Sequence, residues 1–181
     1  MPLPLVPAVP DIPAGYAPVQ ADLDAWVTTP FSFLASPVAF RGSLTGGQAV
    51  SAGGSFAHLD TISEDPYGGW SATATGSQAA FSWLCPAGCS GWYEVTPTSF
   101  TGSQTPPQVI AARLVVSGVL WTEGARSEAG SAGTNGCSGW SEVPLLGGVD
   151  YVQLFIYSSG AVSVPTSTGQ VPTMEIAWVS A

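Results

Sequence analysis

The sequence has one histidine, His58, which stands shortly before Asp60 and Asp65. A serine-histidine-aspartate relay needs a carboxylate to hold the imidazole and a serine presented on a sharp turn between strand and helix. No Gly-x-Ser-x-Gly elbow occupies such a place here, and a histidine alternating with Phe56 and Asp60 along a strand reads as structural. Asp60, Glu64 and Asp65 are the next candidates, because two carboxylates flanking a glycosidic bond can hydrolyse it. They fall in the turn-rich run from Asp60 to Trp70, where Asp65-Pro66 initiates a turn and the acids read as solvated turn residues. Their spacing does not match a calcium-binding helix-loop-helix.

Cys85, Cys89 and Cys137 are odd in number, and Cys85-Pro86-Ala87-Gly88-Cys89 sets two thiols across a tight turn within reach of a small disulfide. Free thiols beside a turn are the simpler reading. A zinc site is not expected, since His58 has no Cys or His at ligand spacing. The sequence thus points to no catalytic residue, no cofactor and no metal, and enzymatic activity is not expected. Trp70, Trp92, Trp121 and Trp140 lie at strand ends or beside Gly-rich loops. An indole there either stacks on a sugar ring or packs in a core or interface, and packing is the commoner fate. Trp70 and Trp140 are the candidate contacts to a cell-envelope glycan.

The elements that would position these residues divide the chain in two. Residues 1–45 read as a docking segment. Pro2, Pro4, Pro7, Pro10, Pro13 and Pro18 favour an extended arm without internal hydrogen bonds. Val19, Leu23 and Trp26, with Val27, then repeat at helical spacing behind Asp22 and Asp24, predicting one short helix that ends before Pro30. Residues 46–181 change to a period of two between turn signals, with strands expected over 55–60, 78–84, 91–96, 109–116, 119–122, 140–146, 149–158 and 173–180. Ser117-Gly118 reads as a two-residue hairpin turn. Many short strands joined by Gly- and Pro-rich turns predict an all-β sandwich.

Composition narrows the function. The 181 residues include 22 Gly and 16 Pro, and charged residues make up 8% where a soluble domain has about 25%. There is no lysine, the cations are Arg41, Arg113 and Arg126, and the net charge is -9. Nucleic-acid phosphates and anionic membrane surfaces both require clustered Lys and Arg, so neither is an expected partner. Every apolar run is interrupted well before the ~18 residues of a membrane span, and no cation precedes the first apolar run as in a signal peptide. Two strands are apolar on both faces. In residues 149–158, Val152, Leu154 and Ile156 oppose Tyr151, Phe155 and Tyr157, and residues 109–116 behave likewise with Val115 outward. Cover for both is expected from subunit contact, in which Trp178 on the last strand also takes part. The alternative cover is the helix or arm folding back.

The run Ala80-Phe81-Ser82-Trp83-Leu84, the Pro86-Ala87-Gly88 turn, and Gly91-Trp92-Tyr93-Glu94-Val95 resemble the C1q and tumour-necrosis-factor pattern. Gly148-Val149-Asp150-Tyr151-Val152-Gln153-Leu154 is similar to that family's Gly-Asp-x-Val-x-Leu strand, with Val149 inserted. The resemblance covers residues 55–181 and implies a jelly roll that associates as a homotrimer. The order of the whole chain, from the Pro-rich start through Pro13-Ala14-Gly15-Tyr16, Phe40-Arg41 and Asp65-Pro66-Tyr67-Gly68-Gly69-Trp70 to the sandwich, resembles the minor tail and virion-surface proteins of actinobacterial tailed phages. That implies a virion location with other tail or capsid proteins as partners. A tail-tip or fibre component is expected first, and a capsid decoration protein or glycan-binding receptor module second.

Overall fold

The alternating segments fold as antiparallel β-strands in the computed structural model, which describes residues 38–102, 108–129, 135–166 and 170–180. The Pro-rich arm and the helical pattern of Val19, Leu23 and Trp26 lie outside the described residues. In chain order the strands are β1 (Ala39–Ser43), β2 (Gln48–Val50), β3 (Ser55–Phe56), β4 (Thr61–Glu64), β5 (Trp70–Ser71), β6 (Ser82–Leu84), β7 (Gly91–Thr101), β8 (Gln108–Val116), β9 (Val119–Ala129), β10 (Asn135–Ser138), β11 (Ser141–Leu145), β12 (Tyr151–Ser158), β13 (Val162–Val164) and β14 (Thr173–Ser180). The first sheet runs β10-β7-β14-β1-β4, with β11 on the other half of β7. The second runs β5-β6-β12-β8-β9, with β3 also against β12, and β2 and β13 form a separate pair.

The expected sandwich is therefore present, with more strands than the sequence spacing suggested. One boundary needs correction. Residues 39–43, assigned to the docking segment, form a strand inside the first sheet, where β1 pairs with β14 on one side and β4 on the other. Five residues carry too little alternation to announce a strand, and the two neighbours supply its hydrogen bonds. The run 78–84 is a strand only at its end. Thr75 and Gln78 exchange backbone hydrogen bonds of 3.0 Å, and Phe81 takes a positive φ of 55°, so the chain turns before β6 begins.

The core fills by the pleat. Val152, Leu154 and Ile156 of β12 and Ile110, Ala112 and Leu114 of β8 face Tyr93 and Val95 of β7, Met174 and Ile176 of β14 and Phe40 of β1, and all are buried. Trp83 is fully enclosed, edge-on to Tyr93 at 5.8 Å between ring centroids. The β8–β9 connection is the expected hairpin. Ser117 and Gly118 both have positive φ, 48° and 81°, the turn whose twist matches that of its strands.

β3 reaches β12 through Gly54, whose φ is 106°. A Cβ at that position would lie 2.6 Å from the Ile156 carbonyl oxygen and against the Phe155 ring. Gly54→Ala is therefore expected to lower unfolding free energy by roughly 2–4 kcal/mol, combining left-handed backbone strain with overpacking. Gly53→Ala, whose Cβ would meet nothing within 4 Å, should lose only the backbone part. Chemical denaturation of the two variants separates these cases.

Candidate subunit interface

The residues with catalytic potential do not converge. The His58 ring lies on Phe81, with centroids 3.7 Å apart and planes 13° from parallel. Asp60 brackets a turn, accepting from Thr45 N at 2.8 Å, Thr45 Oγ1 at 2.9 Å and Gly46 N at 2.6 Å. Slight burial pushes its pKa upward, but those backbone donors and the hydroxyls of Thr45 and Thr61 prevail and hold the carboxyl below its ordinary value. Asp65 closes its own loop by accepting from Gly69 N at 3.0 Å, Trp70 N at 2.8 Å and Trp83 Nε1 at 3.3 Å. Glu64 is exposed on the edge strand β4.

The cysteines are free thiols. Cys85 is enclosed beneath the β6–β7 turn, 3.4 Å from the Tyr93 hydroxyl and 3.4 Å from the Cys89 carbonyl oxygen. The buried Cys137 lies 3.0 Å from Ser99 Oγ. Burial pushes all three thiols above their usual range, which suppresses the reactive thiolate.

The outward row of β12 is covered largely from within the chain. Phe56 of β3 packs edge-on to Phe155 at 5.1 Å. Gln153 is buried and donates to the Ala80 carbonyl at 2.9 Å. The Arg113 guanidinium sits 4.0 Å over the Tyr157 ring, while Glu123 pairs with both Arg113 and Arg126. Arg126 is the main cause that draws the Glu123 carboxyl below its usual range. Tyr151, Phe155 and Tyr157 are left half-buried. Three expected surface residues are corrected by their surroundings. Val115 lies opposite Gln153 on the outward side of its sheet but is only 7% exposed, so it is covered within the chain. Trp178 continues the core-facing side of Met174 and Ile176 and packs on the buried cluster. Trp70 likewise packs on that cluster, its ring stacked on Phe40 at 5.5 Å. Alternation told that these side chains share faces but not which face another segment covers.

The open apolar side chains are elsewhere. Gly124 of β9 and Gly139 meet so closely that a Cβ on Gly124 would lie 2.7 Å from the Gly139 Cα, bringing the two sheets together along one edge. That edge carries Trp140, 59% exposed, and Leu120 and Trp121 of β9, about half exposed. On the outward side of the first sheet, a shallow cavity of about 180 Å³ is lined by Ala39, Thr96 and Ala177, with Glu94, Glu175 and Arg41 around them. Arg41 pairs with Glu175 through Nε at 3.1 Å. A knob-like edge and a recessed face on one sandwich can join two copies head to tail.

No family model and no curated protein matches the chain in sequence. Among solved structures it is similar to the Eiger TNF of S. frugiperda, with a TM-score of 0.54 and 12% identity over 80% of this chain and 94% of that one. The globular domain of zebrafish complement 1qA matches with a TM-score of 0.50 and 12% identity over 78% and 96%. Murine APRIL at pH 8.0 matches with a TM-score of 0.52 and 11% identity over 77% and 97%. The chain therefore has a C1q/TNF-like jelly-roll fold.

Because the folded-state pKa of Asp60 is depressed, its contribution to stability is complete above its ordinary value of 3.8 and is lost as pH falls through the lower folded value. Asp60→Asn should therefore reduce stability at neutral pH and flatten the loss of stability below pH about 4. Unfolding midpoints measured from pH 2 to pH 7 check this, and parallel profiles for the two proteins would show that Asp60 is not a contributor.

Proposed function

We propose that this chain is a structural component of a virus particle, a minor tail protein of tip or fibre, that docks by its N-terminal segment and associates as a homotrimer through its sandwich. Its action is mechanical rather than catalytic, and its location is the virion. The observation that carries the association is the pair of unlike surfaces. Unlike surfaces join head to tail, and such contacts close into a ring when the rotation between copies permits. In the ring the Trp140 edge of one copy enters the recess of the next. The indole lies against Ala39 and Ala177, and its N–H finds an acceptor in Glu94 or Glu175. The C1q/TNF-like fold supports three copies, since the resemblance in sequence implies a trimer. The docking role rests on the Pro-rich arm, which suits backbone pairing along an existing surface, and the virion role on the order of the whole chain.

Tail placement is preferred over capsid decoration because the chain's order resembles minor tail proteins. A glycan-binding receptor module is the second reading, favoured by the openness of Trp140.

Light scattering of the full chain should give three times its 18.4 kDa mass. Trp140→Glu should reduce that mass to one chain while the β-sheet circular dichroism is retained. A trimer that persists with Trp140→Ala but no longer binds host-envelope polysaccharide would replace the subunit-contact role of Trp140 by the receptor role. Deletion of residues 1–18 should abolish incorporation into particles while the sandwich stays folded, and normal incorporation would remove the docking role.

A further inference from the structure

The sandwich has one apolar end. β7 and β12 begin there, β14 finishes there, and the turns after β6, β8 and β11 are tied together there. Cys85 N donates to Asp150 O at 2.9 Å, Gly148 N to Cys85 O at 2.8 Å, and Ser117 Oγ to Asp150 Oδ1 at 2.8 Å. Trp92, Leu146, Val149 and Val179 are exposed at this end by 45%, 59%, 56% and 42%. Trp92 pairs with Pro144 on β11 and with Ser180 on β14, so the patch continues across the outward side of the first sheet. Four exposed apolar side chains grouped at one end are the kind of surface that marks a contact.

The described chain also starts here. Trp178 N donates to Val38 O at 2.9 Å, and Ala39 pairs with Ala177, so whatever precedes Val38 arrives beside Val179. What precedes it is suited to the patch. From Ala25 to Phe40 the sequence has no charged residue, and it places Phe31, Phe33 and Leu34 between Pro30 and Pro37. Strands lie about 4.8 Å apart, so Trp92 is roughly 10 Å and Pro144 roughly 14 Å from β1. An extended segment of seven residues spans up to about 24 Å. Those side chains therefore reach the whole patch, and no charge of their own is desolvated on it.

We propose that residues 31–34 seat on the apolar end of their own sandwich, with Phe31, Phe33 and Leu34 against Trp92, Pro144 and Leu146. The contact is within one chain and does not depend on trimer formation.

A photo-crosslinking phenylalanine analogue at position 33 of the full chain tests it, with isotopically light and heavy copies mixed before illumination. The expected product is a peptide joining position 33 to residue 92 or to residues 144–149 within a single isotopic chain. Mixed-isotope peptides would overturn the proposal in favour of a second copy as occupant, and absence of any such peptide would overturn it outright. Independently, Phe31→Ser with Phe33→Ser should lower the melting temperature by about 3–6 °C, and the loss should largely vanish in a Trp92→Ser background. Additive losses would show that the two sites do not touch.

Discussion

The structure depends on keeping water from both faces of β12. Its inner face is dry by contact with the first sheet, as in any sandwich. Its outer face carries Tyr151, Gln153, Phe155 and Tyr157, a row that cannot be wet throughout and is too far from the core to be enclosed by it. Two short stretches cover it. One enters through Gly54 and lays Phe56 on Phe155, and the other turns at Phe81 and offers the Ala80 carbonyl to Gln153. Phe81 holds a left-handed backbone without being glycine, which costs about 1–2 kcal/mol. Its stack with His58 and the buried amide of Gln153 offset that strain. Because the chain covers much of this row itself, the most open aromatic side chain, Trp140, lies elsewhere, at the edge beside β9.

The scarcity of charge explains what the acids do. Among the described residues each arginine is paired, Arg41 with Glu175, and Arg113 and Arg126 with Glu123. Asp60, Asp65 and Asp150 accept from backbone N–H groups in turns, Asp150 from Leu146 at 2.9 Å. A carboxylate that accepts from several donors of one turn holds that turn in place. With a net charge of -9 and no lysine, copies of this chain repel one another at long range.

This clarifies which parts were legible in the sequence. The doubly apolar runs of β8 and β12, the alternation of β14 and the Ser117-Gly118 turn were readable because their side chains obey the pleat and their backbone obeys turn chemistry. The C1q/TNF-like pattern was readable for the same reason, since its motif residues are pleat and turn positions. β1 and β4 were not, because strands of five and four residues are defined by neighbours distant in sequence. Val115, Trp70 and Trp178 were placed on surfaces for a related reason. Periodicity assigns a side to each residue, but burial depends on which loop lies over that side. The Trp140 edge needed the close approach of Gly124 and Gly139, which no local pattern announces.

The two ends of the sandwich differ in a way that gives the module a direction. At the end where β1 starts, the core closes with Trp83, Tyr93 and Trp178 and the surface is apolar. At the other end the interior itself becomes polar: Ser99, Thr101 and Ser158 are buried there, next to Cys137. An exposed apolar surface gains from being covered, whereas at the far end Ser99 Oγ is already paired with Cys137 Sγ inside the sheet. The end from which the N-terminal segment departs is thus the one that gains from contact, and the far end is the one built to stand in water.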